Sequence, residues 1–80
     1  MNGMYIKLLR YFAGQLTQEE LAERVGITQS TLSKYEAGVL KVSPEAERII
    51  RQTFIDAGLD ESEQIFLLEV MNKQKRKGDN

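Results

Sequence analysis

A glycine at position 26 separates two short segments whose apolar residues recur at helical spacing, and this pair constrains the fold more than any other feature. Thr17 with Glu20 three residues later has the pattern of a capping box, in which each side chain accepts from the other residue's amide. Thr28 is placed to begin the second helix in the same way. Because Gly26 can adopt the positive φ of a tight turn, the sequence predicts two helices joined by a short turn.

The rest of the chain also has apolar residues three and four apart, and no segment alternates as a strand would. The sequence therefore predicts an all-α fold of five helices. Ser43 followed by Pro44 marks the start of the fourth helix, and Asp60 with Glu63 repeats the capping pattern before the fifth. The expected helices are about Met4 to Ala13, the Thr17 cap to Gly26, Gln29 to Gly38, Pro44 to about Ala57, and the Asp60 cap to about Gln74, with a fraying tail beyond.

The composition limits the functions open to the chain. Eighty residues form one small domain, here expected as a core over 1–58 and a C-terminal helix and basic tail over 59–80. With no Cys and no His, a disulfide framework, a thiol nucleophile, an imidazole base and the usual zinc ligands are absent. The pairs of neighbouring acidic residues are explained by their place near helix starts, where negative charge is favourable. We therefore expect no enzymatic activity, no metal and no cofactor. No apolar run reaches the roughly 18 residues of a membrane span, so a cytoplasmic protein is expected.

The run TQEELAERVGITQSTLSKYEAG resembles the lambda-repressor/Cro-like family of DNA-binding proteins. Ala22 is a small residue four positions before Gly26, where the two helices must approach closely. The resemblance covers roughly Ile6 to Ala57 and implies a five-helix domain in which helices two and three form a helix-turn-helix. Apolar residues stand at the positions that face the other helix or the core: Leu21, Val25, Ile27, Leu32 and Tyr35.

The resemblance implies that the third helix enters the major groove of DNA. Gln29 is the first candidate for a base contact, because its amide can both donate to adenine N7 and accept from adenine N6. Ser30 and Ser33 are the next candidates, together with Lys34, which suits guanine O6 or N7 or a nearby phosphate. On an isolated helix the same polar stripe would more often be a solvated face.

Contacts to the DNA backbone are expected from residues around the two helix starts. Gln18 opens the first motif helix, where its amide and the free backbone amides can hold a phosphate. Thr28, Thr31 and the loop residue Lys41 are further candidates, although a loop lysine is nearly as often simply solvated. The list of expected phosphate contacts is therefore Gln18, Thr28, Thr31 and Lys41.

Arg10 and Glu36 match a pair that relatives use to tie the first helix to the end of the reading helix. We expect a partly buried structural ion pair. From Arg10 to Thr17 the chain is one residue longer than the commonest family pattern, so the segment around Gly14 and Gln15 decides whether Arg10 reaches its partner.

The last helix, with the run QIFLLEVM, is apolar almost all the way round. Such a helix is buried on more than one side, so we expect a homodimer through it. The alternatives are that the helix folds fully into its own domain, or that it binds a second protein, as an antitoxin would. The expected interface residues are Ile65, Phe66, Leu67, Val70 and Met71.

The distribution of charge suggests that one copy of the chain binds DNA weakly. The formal net charge is −1, and the segments 1–41, 42–60 and 61–80 carry +1, −2 and 0. The basic tail residues could contact phosphates, although a basic tail beyond an apolar helix is more often a solubilising end. These residues are Lys73, Lys75, Arg76 and Lys77.

The sequence predicts a transcriptional repressor that binds double-stranded DNA as a dimer on an inverted repeat. An RNA-binding role is disfavoured because the few aromatic residues form no stacking pattern.

Overall fold

The computed structural model describes the backbone of residues 1–78 and the side chains of residues 1–73. The described chain contains five helices and no strand, so the all-α prediction is confirmed. The tail residues Lys75, Arg76 and Lys77, considered above for phosphate contacts, have side chains outside the described part. The helices are α1 Gly3–Phe12, α2 Gln18–Val25, α3 Gln29–Glu36, α4 Pro44–Asp56 and α5 Glu61–Gly78.

A side-chain oxygen caps the start of each helix. The capping residues are Asn2, Thr17, Thr28, Ser43 and Asp60, and each accepts from an amide two or three residues further on, at 2.7 to 3.1 Å. At Thr17 and Asp60 the bond is reciprocal, because the glutamate three residues later accepts from the cap's own amide. Each cap is worth about 1 kcal/mol, which is why the helix starts could be predicted closely from sequence.

The ends of α1, α3 and α4 lie within two residues of the predicted ones, and the end of α5 differs most. α1 begins at Gly3, one residue earlier than expected, because the cap is Asn2. α5 continues to Gly78 rather than ending near Gln74. The added segment before Gly78 consists of Lys and Arg, which have good helix propensity, and it contains no helix-breaking residue before that glycine.

The core lies where α1, α2 and α4 meet the inner faces of α3 and α5. α1 packs against α3 and α5, while α2 packs against α3 and α4. The core extends to the last helix, because Leu67 is only 8% exposed. The side chains with almost no exposure include Tyr5, Ile6, Leu9, Leu21, Leu32, Ile50 and Phe54.

Hydrogen bonds around Gln64 tie α5 to the rest of the domain. The Tyr5 hydroxyl donates to the backbone carbonyl of Gln64. The Gln64 side-chain amide donates to the carbonyl of Arg51, at 3.1 Å, and to that of Leu59, at 3.0 Å. Since Gln64 is 1% exposed, these bonds satisfy a polar group that would otherwise be buried without partners.

We expect replacement of Tyr5 by Phe to lower the free energy of unfolding by about 1 kcal/mol at pH 7, the usual worth of one hydrogen bond. Burial raises the pKa of the Tyr5 hydroxyl above its ordinary value. The stability contributed by the protonated hydroxyl is therefore full below about pH 10 and is lost as the pH rises through the folded-state pKa.

The measurement is urea unfolding between pH 8 and pH 11 for the wild type and the Tyr5→Phe variant. The wild type should lose its advantage above about pH 10. The Tyr11→Phe variant is the matched control, since it removes the hydroxyl of a tyrosine that is 63% exposed. A constant difference between wild type and Tyr5→Phe at all pH values would contradict the assignment.

Candidate nucleic-acid interface

The turn between α2 and α3 is fixed by its backbone. Gly26 has φ 89°, and the amides of Gly26 and Ile27 both donate to the carbonyl of Ala22, at 2.9 and 3.0 Å. Ala22 itself is 2% exposed, so only a small side chain fits there. Leu21 of α2 and Leu32 of α3 are fully buried. The two helices are therefore held at a fixed angle by packing and by the turn.

The outer face of α3 carries the four side chains that the sequence predicted for base contacts. Gln29, Ser30, Ser33 and Lys34 are all exposed. Within the described residues, none of the four side chains forms a hydrogen bond or an ion pair. Their donors and acceptors are therefore available to a ligand along one side of a rigid helix.

The start of α3 is organised by two threonines. The Thr28 hydroxyl accepts from the amide of Thr31 at 3.1 Å and donates to the Thr31 hydroxyl at 3.0 Å. This arrangement leaves the hydrogen of the Thr31 hydroxyl for another acceptor. The first free amides of α3 lie beside it, so the helix start can accommodate an anionic oxygen.

The carboxylate of Glu36 joins three helices. The Arg10 guanidinium of α1 donates from Nε to Glu36 Oε2 at 2.8 Å and from Nη2 to Oε1 at 2.9 Å. The Gln18 amide of α2 donates to the same Oε1 at 2.9 Å. The Glu36 side chain is 1% exposed and that of Arg10 is 18% exposed. The expected pair is thus present in the structure, within a larger network.

The extra residue between α1 and α2 does not displace Arg10. Gly14 and Gln15 both adopt left-handed conformations, with φ 84° and 57°. The amide of Leu16 donates to the carbonyl of Arg10 at 3.0 Å, and Arg10 Nη1 donates to the carbonyl of Leu16 at 2.8 Å. The left-handed pair folds the added residue into the turn, and Arg10 stays in register with Glu36.

Gln18 lies at the first position of α2 with its side chain oriented by Glu36. One amide hydrogen is used by the carboxylate, which leaves the second hydrogen and the carbonyl oxygen for a phosphate or a neighbouring side chain. The sequence predicted a phosphate contact for Gln18, which stays a prediction, but it did not reveal the bond from Gln18 to Glu36. The two residues are 18 positions apart, so no local pattern could reveal the bond.

The loop after α3 is bound to the end of that helix. The amides of Val39 and Leu40 both donate to the carbonyl of Lys34, at 3.0 and 3.2 Å. Gly38 makes this turn with φ 76°. Lys41 follows directly and is exposed, so the residue predicted to contact a phosphate lies next to the part of the loop that is bonded to α3.

A close approach that the sequence did not reveal holds the other end of α3. Gly3, the first residue of α1, lies against the last carbonyls of α3. A β-carbon at Gly3 would meet the carbonyl oxygen of Tyr35 and lie 2.5 Å from that of Glu36. The positive start of α1 thus faces the negative end of α3, a favourable arrangement of helix dipoles.

The expected dimer residues of α5 divide into three groups in the structure. Leu67 belongs to the core of its own domain and has little surface to offer a partner. Ile65 and Phe66 are 47% and 63% exposed, on opposite sides of the buried stripe. Val70 and Met71 are half-buried beside α1. In the part of the chain described, no helix is both long and apolar enough to cross a membrane.

Comparison with known proteins gives a match to a protein family. A protein-family model described as "Helix-turn-helix" matches residues 6–52, which is more than half of the chain and contains the whole of α2 and α3. Neither the curated proteins nor the solved structures give a significant match.

Proposed function

This chain belongs to the XRE-type, lambda-repressor/Cro-like family of helix-turn-helix DNA-binding proteins, and from that premise we propose that it is a transcriptional repressor that binds an inverted-repeat operator as a homodimer. The family supports a DNA-binding regulator. The sign of regulation, the form of the operator and the dimer are our proposals, as is action in the cytoplasm.

The observation that carries the proposal is the outer face of α3. Four polar side chains stand exposed there, and none is engaged by another described residue. The helix beneath them is fixed at one end by the Gly26 turn and at the other by Glu36 and Gly3. Rigid presentation of side chains that can read base edges is what a sequence-specific site requires.

The charge of the domain supports the dimer. The chain has 11 basic and 12 acidic residues, so bulk attraction to phosphates is weak. Lys34 on the outer face of α3 and Lys41 in the following loop are the cations expected to contact DNA, which allows only a shallow salt dependence for one copy. A symmetric pair doubles the contacts and sets its reading helices about 34 Å apart, one turn of DNA.

The experiment is selection of duplexes from a random pool by the purified protein, followed by sequencing of the retained DNA. We expect an inverted repeat whose half-sites are about 10 base pairs apart. Enrichment of a single half-site without symmetry would contradict the dimeric operator. If nothing were enriched at any salt concentration, the repressor proposal would be wrong, and a protein-interaction role for the exposed face of α5 would replace it.

Replacement of Gln29 by Ala tests the reading face. We expect the variant to lose about 1–3 kcal/mol of binding free energy per half-site on the selected operator and almost nothing on random DNA, since a bidentate amide contact discriminates between bases. Fluorescence anisotropy with both duplexes measures the two affinities.

The control for Gln29→Ala is the Gln52→Ala variant, which makes the same chemical change at an exposed position of α4. Gln52→Ala should bind both duplexes as the wild type does. Equal losses on operator and random DNA for Gln29→Ala would show that Gln29 does not read bases.

A further inference from the structure

An apolar groove runs between α1 and α5, outside the reading face. Its volume is about 470 Å³. Lys7 stands at its rim, and the remaining walls are apolar. On α1 the groove is formed by the flank that faces away from Gly3 and Arg10, the residues that contact α3. The apolar lining consists of Met4, Leu8, Phe12, Leu67, Val70 and Met71.

Large apolar side chains protrude beside this groove. Met4 is 62% exposed, Phe12 is 52% exposed and Phe66 is 63% exposed. Tyr11 is 63% exposed, and its ring meets that of Phe12 edge-on at 5.4 Å. Phe66 adjoins the groove through Val70, since both line the same surface depression. We call these residues and the groove the α1–α5 patch.

The size of the α1–α5 patch fits a protein interface better than a small-molecule site. With about 200 Å² for each large side chain, the exposed parts of Met4, Tyr11, Phe12 and Phe66 leave on the order of 500 Å² of apolar surface. A standard interface takes about 800 Å² from each partner, of which a little more than half is apolar. A ligand inside the groove would leave Phe66 and Tyr11 uncovered.

The shape and charge of the patch suit a second copy of the same chain. The patch presents both a projecting ring, Phe66, and a groove that could receive such a ring, as an isologous contact requires. Its rims carry both signs of charge, with Lys7 on α1 and with Glu69 and Lys73 beside Phe66. Such a surface can face its own copy with opposite charges paired.

We propose that the α1–α5 patch is the homodimer interface, in which Phe66 of each copy packs into the groove of the other, against Phe12. This inference rests on the proposed function, because it names the surface of the dimer that the repressor requires. It extends the interface to α1 and leaves out Ile65, which lies on the other flank of α5. Leu67 lines the groove but belongs mainly to the core, since it is only 8% exposed.

The test uses two charge variants, Phe66→Glu and Phe12→Lys, in sedimentation velocity without DNA. The wild type should be a dimer, and each variant alone should be a monomer, because its own homodimer would bury two unpaired charges. An equimolar mixture of the two variants should dimerise again. In the mixed dimer, one contact pairs the introduced glutamate with the introduced lysine, and the other contact keeps the native Phe66 and Phe12. Thermal unfolding followed by circular dichroism checks that each variant is folded, as expected for substitutions at exposed positions.

The matched control is Ile65→Glu, an exposed apolar residue next in sequence but on the opposite flank of α5. It should remain a dimer. The proposal is wrong if the wild type is monomeric, which would leave the patch to another protein or an amphiphilic ligand. It is equally wrong if Ile65→Glu dissociates while Phe66→Glu does not, or if the mixture stays monomeric.

Binding to a single half-site separates this inference from the proposed function. The Phe66→Glu monomer keeps the reading face intact, so its half-site affinity should equal that of a wild-type subunit, while its affinity for the full inverted repeat should fall at least about tenfold. A wild type that dimerises as described but binds no DNA would overturn the repressor and leave the interface standing.

Discussion

Replacement of Glu36 by alanine should lower the free energy of unfolding by about 3 kcal/mol or more, because it removes one member of a buried charge pair. The Arg10 guanidinium would keep one hydrogen bond, to the carbonyl of Leu16, and would lose the two that Glu36 accepts. Gln18 would lose the contact that orients it. Urea unfolding at pH 7, followed by circular dichroism, measures the loss.

A second variant distinguishes a buried pair from a general loss of packing. Replacing both Arg10 and Glu36 by methionine removes the charges together, so the double variant should recover most of the stability lost by Glu36→Ala. The control is Glu45→Ala, which breaks the ion pair between Glu45 and Arg48. Both of these side chains are more than 70% exposed, so the free energy of unfolding should change by less than about 0.5 kcal/mol. A cost for Glu36→Ala below about 1 kcal/mol would show that the network contributes little.

Replacement of Gly3 by alanine is the second change with a large expected effect. Helix propensity alone predicts a gain of up to about 1 kcal/mol, since alanine favours a helix over glycine. The structure predicts a loss of about 3 kcal/mol, because the added β-carbon would meet backbone carbonyls of Tyr35 and Glu36 that cannot rotate away. The two arguments differ in sign, so urea unfolding decides between them.

The comparison needs a first-turn position without such a neighbour. Ser62 is exposed in the first turn of α5, so the Ser62→Ala variant should be more stable than Ser62→Gly by about the propensity difference. The change from glycine to alanine can thus be compared at positions 3 and 62. If alanine is the more stabilising residue at both positions, the close contact between α1 and α3 is wrong. Because the contact fixes the end of the reading helix, operator binding should fall together with stability.

Local signals account for the parts of the fold that could be predicted from sequence. A cap such as Thr17 or Asp60 acts on amides within the next three residues, so its effect can be read directly from the chain. The exposure of Gln29 and Lys34 also follows from helical periodicity within α3. The Arg10 and Glu36 pair was expected from family resemblance, which encodes a contact between distant residues.

Contacts between distant residues account for most of what was missed. The bond from Gln18 to Glu36, the approach of Gly3 to Tyr35 and the burial of Leu67 each depend on how separate helices meet. A helix that is apolar all round indicates more than one buried side, and periodicity cannot say which side faces the core. The structure assigns Leu67 to the core and leaves Phe66 exposed.

The paired amides of Val39 and Leu40 on the Lys34 carbonyl have a consequence for redesign. Since the loop is hydrogen-bonded to the last turn of α3, residues 29–41 form one structural unit, in which the loop is held in place by the helix. Under the proposed function, exchanging the outward side chains of this segment should change the DNA sequence that is preferred while the position of Lys41 stays constant. The preferred sequence should then change by side-chain replacement alone, with the backbone unaltered.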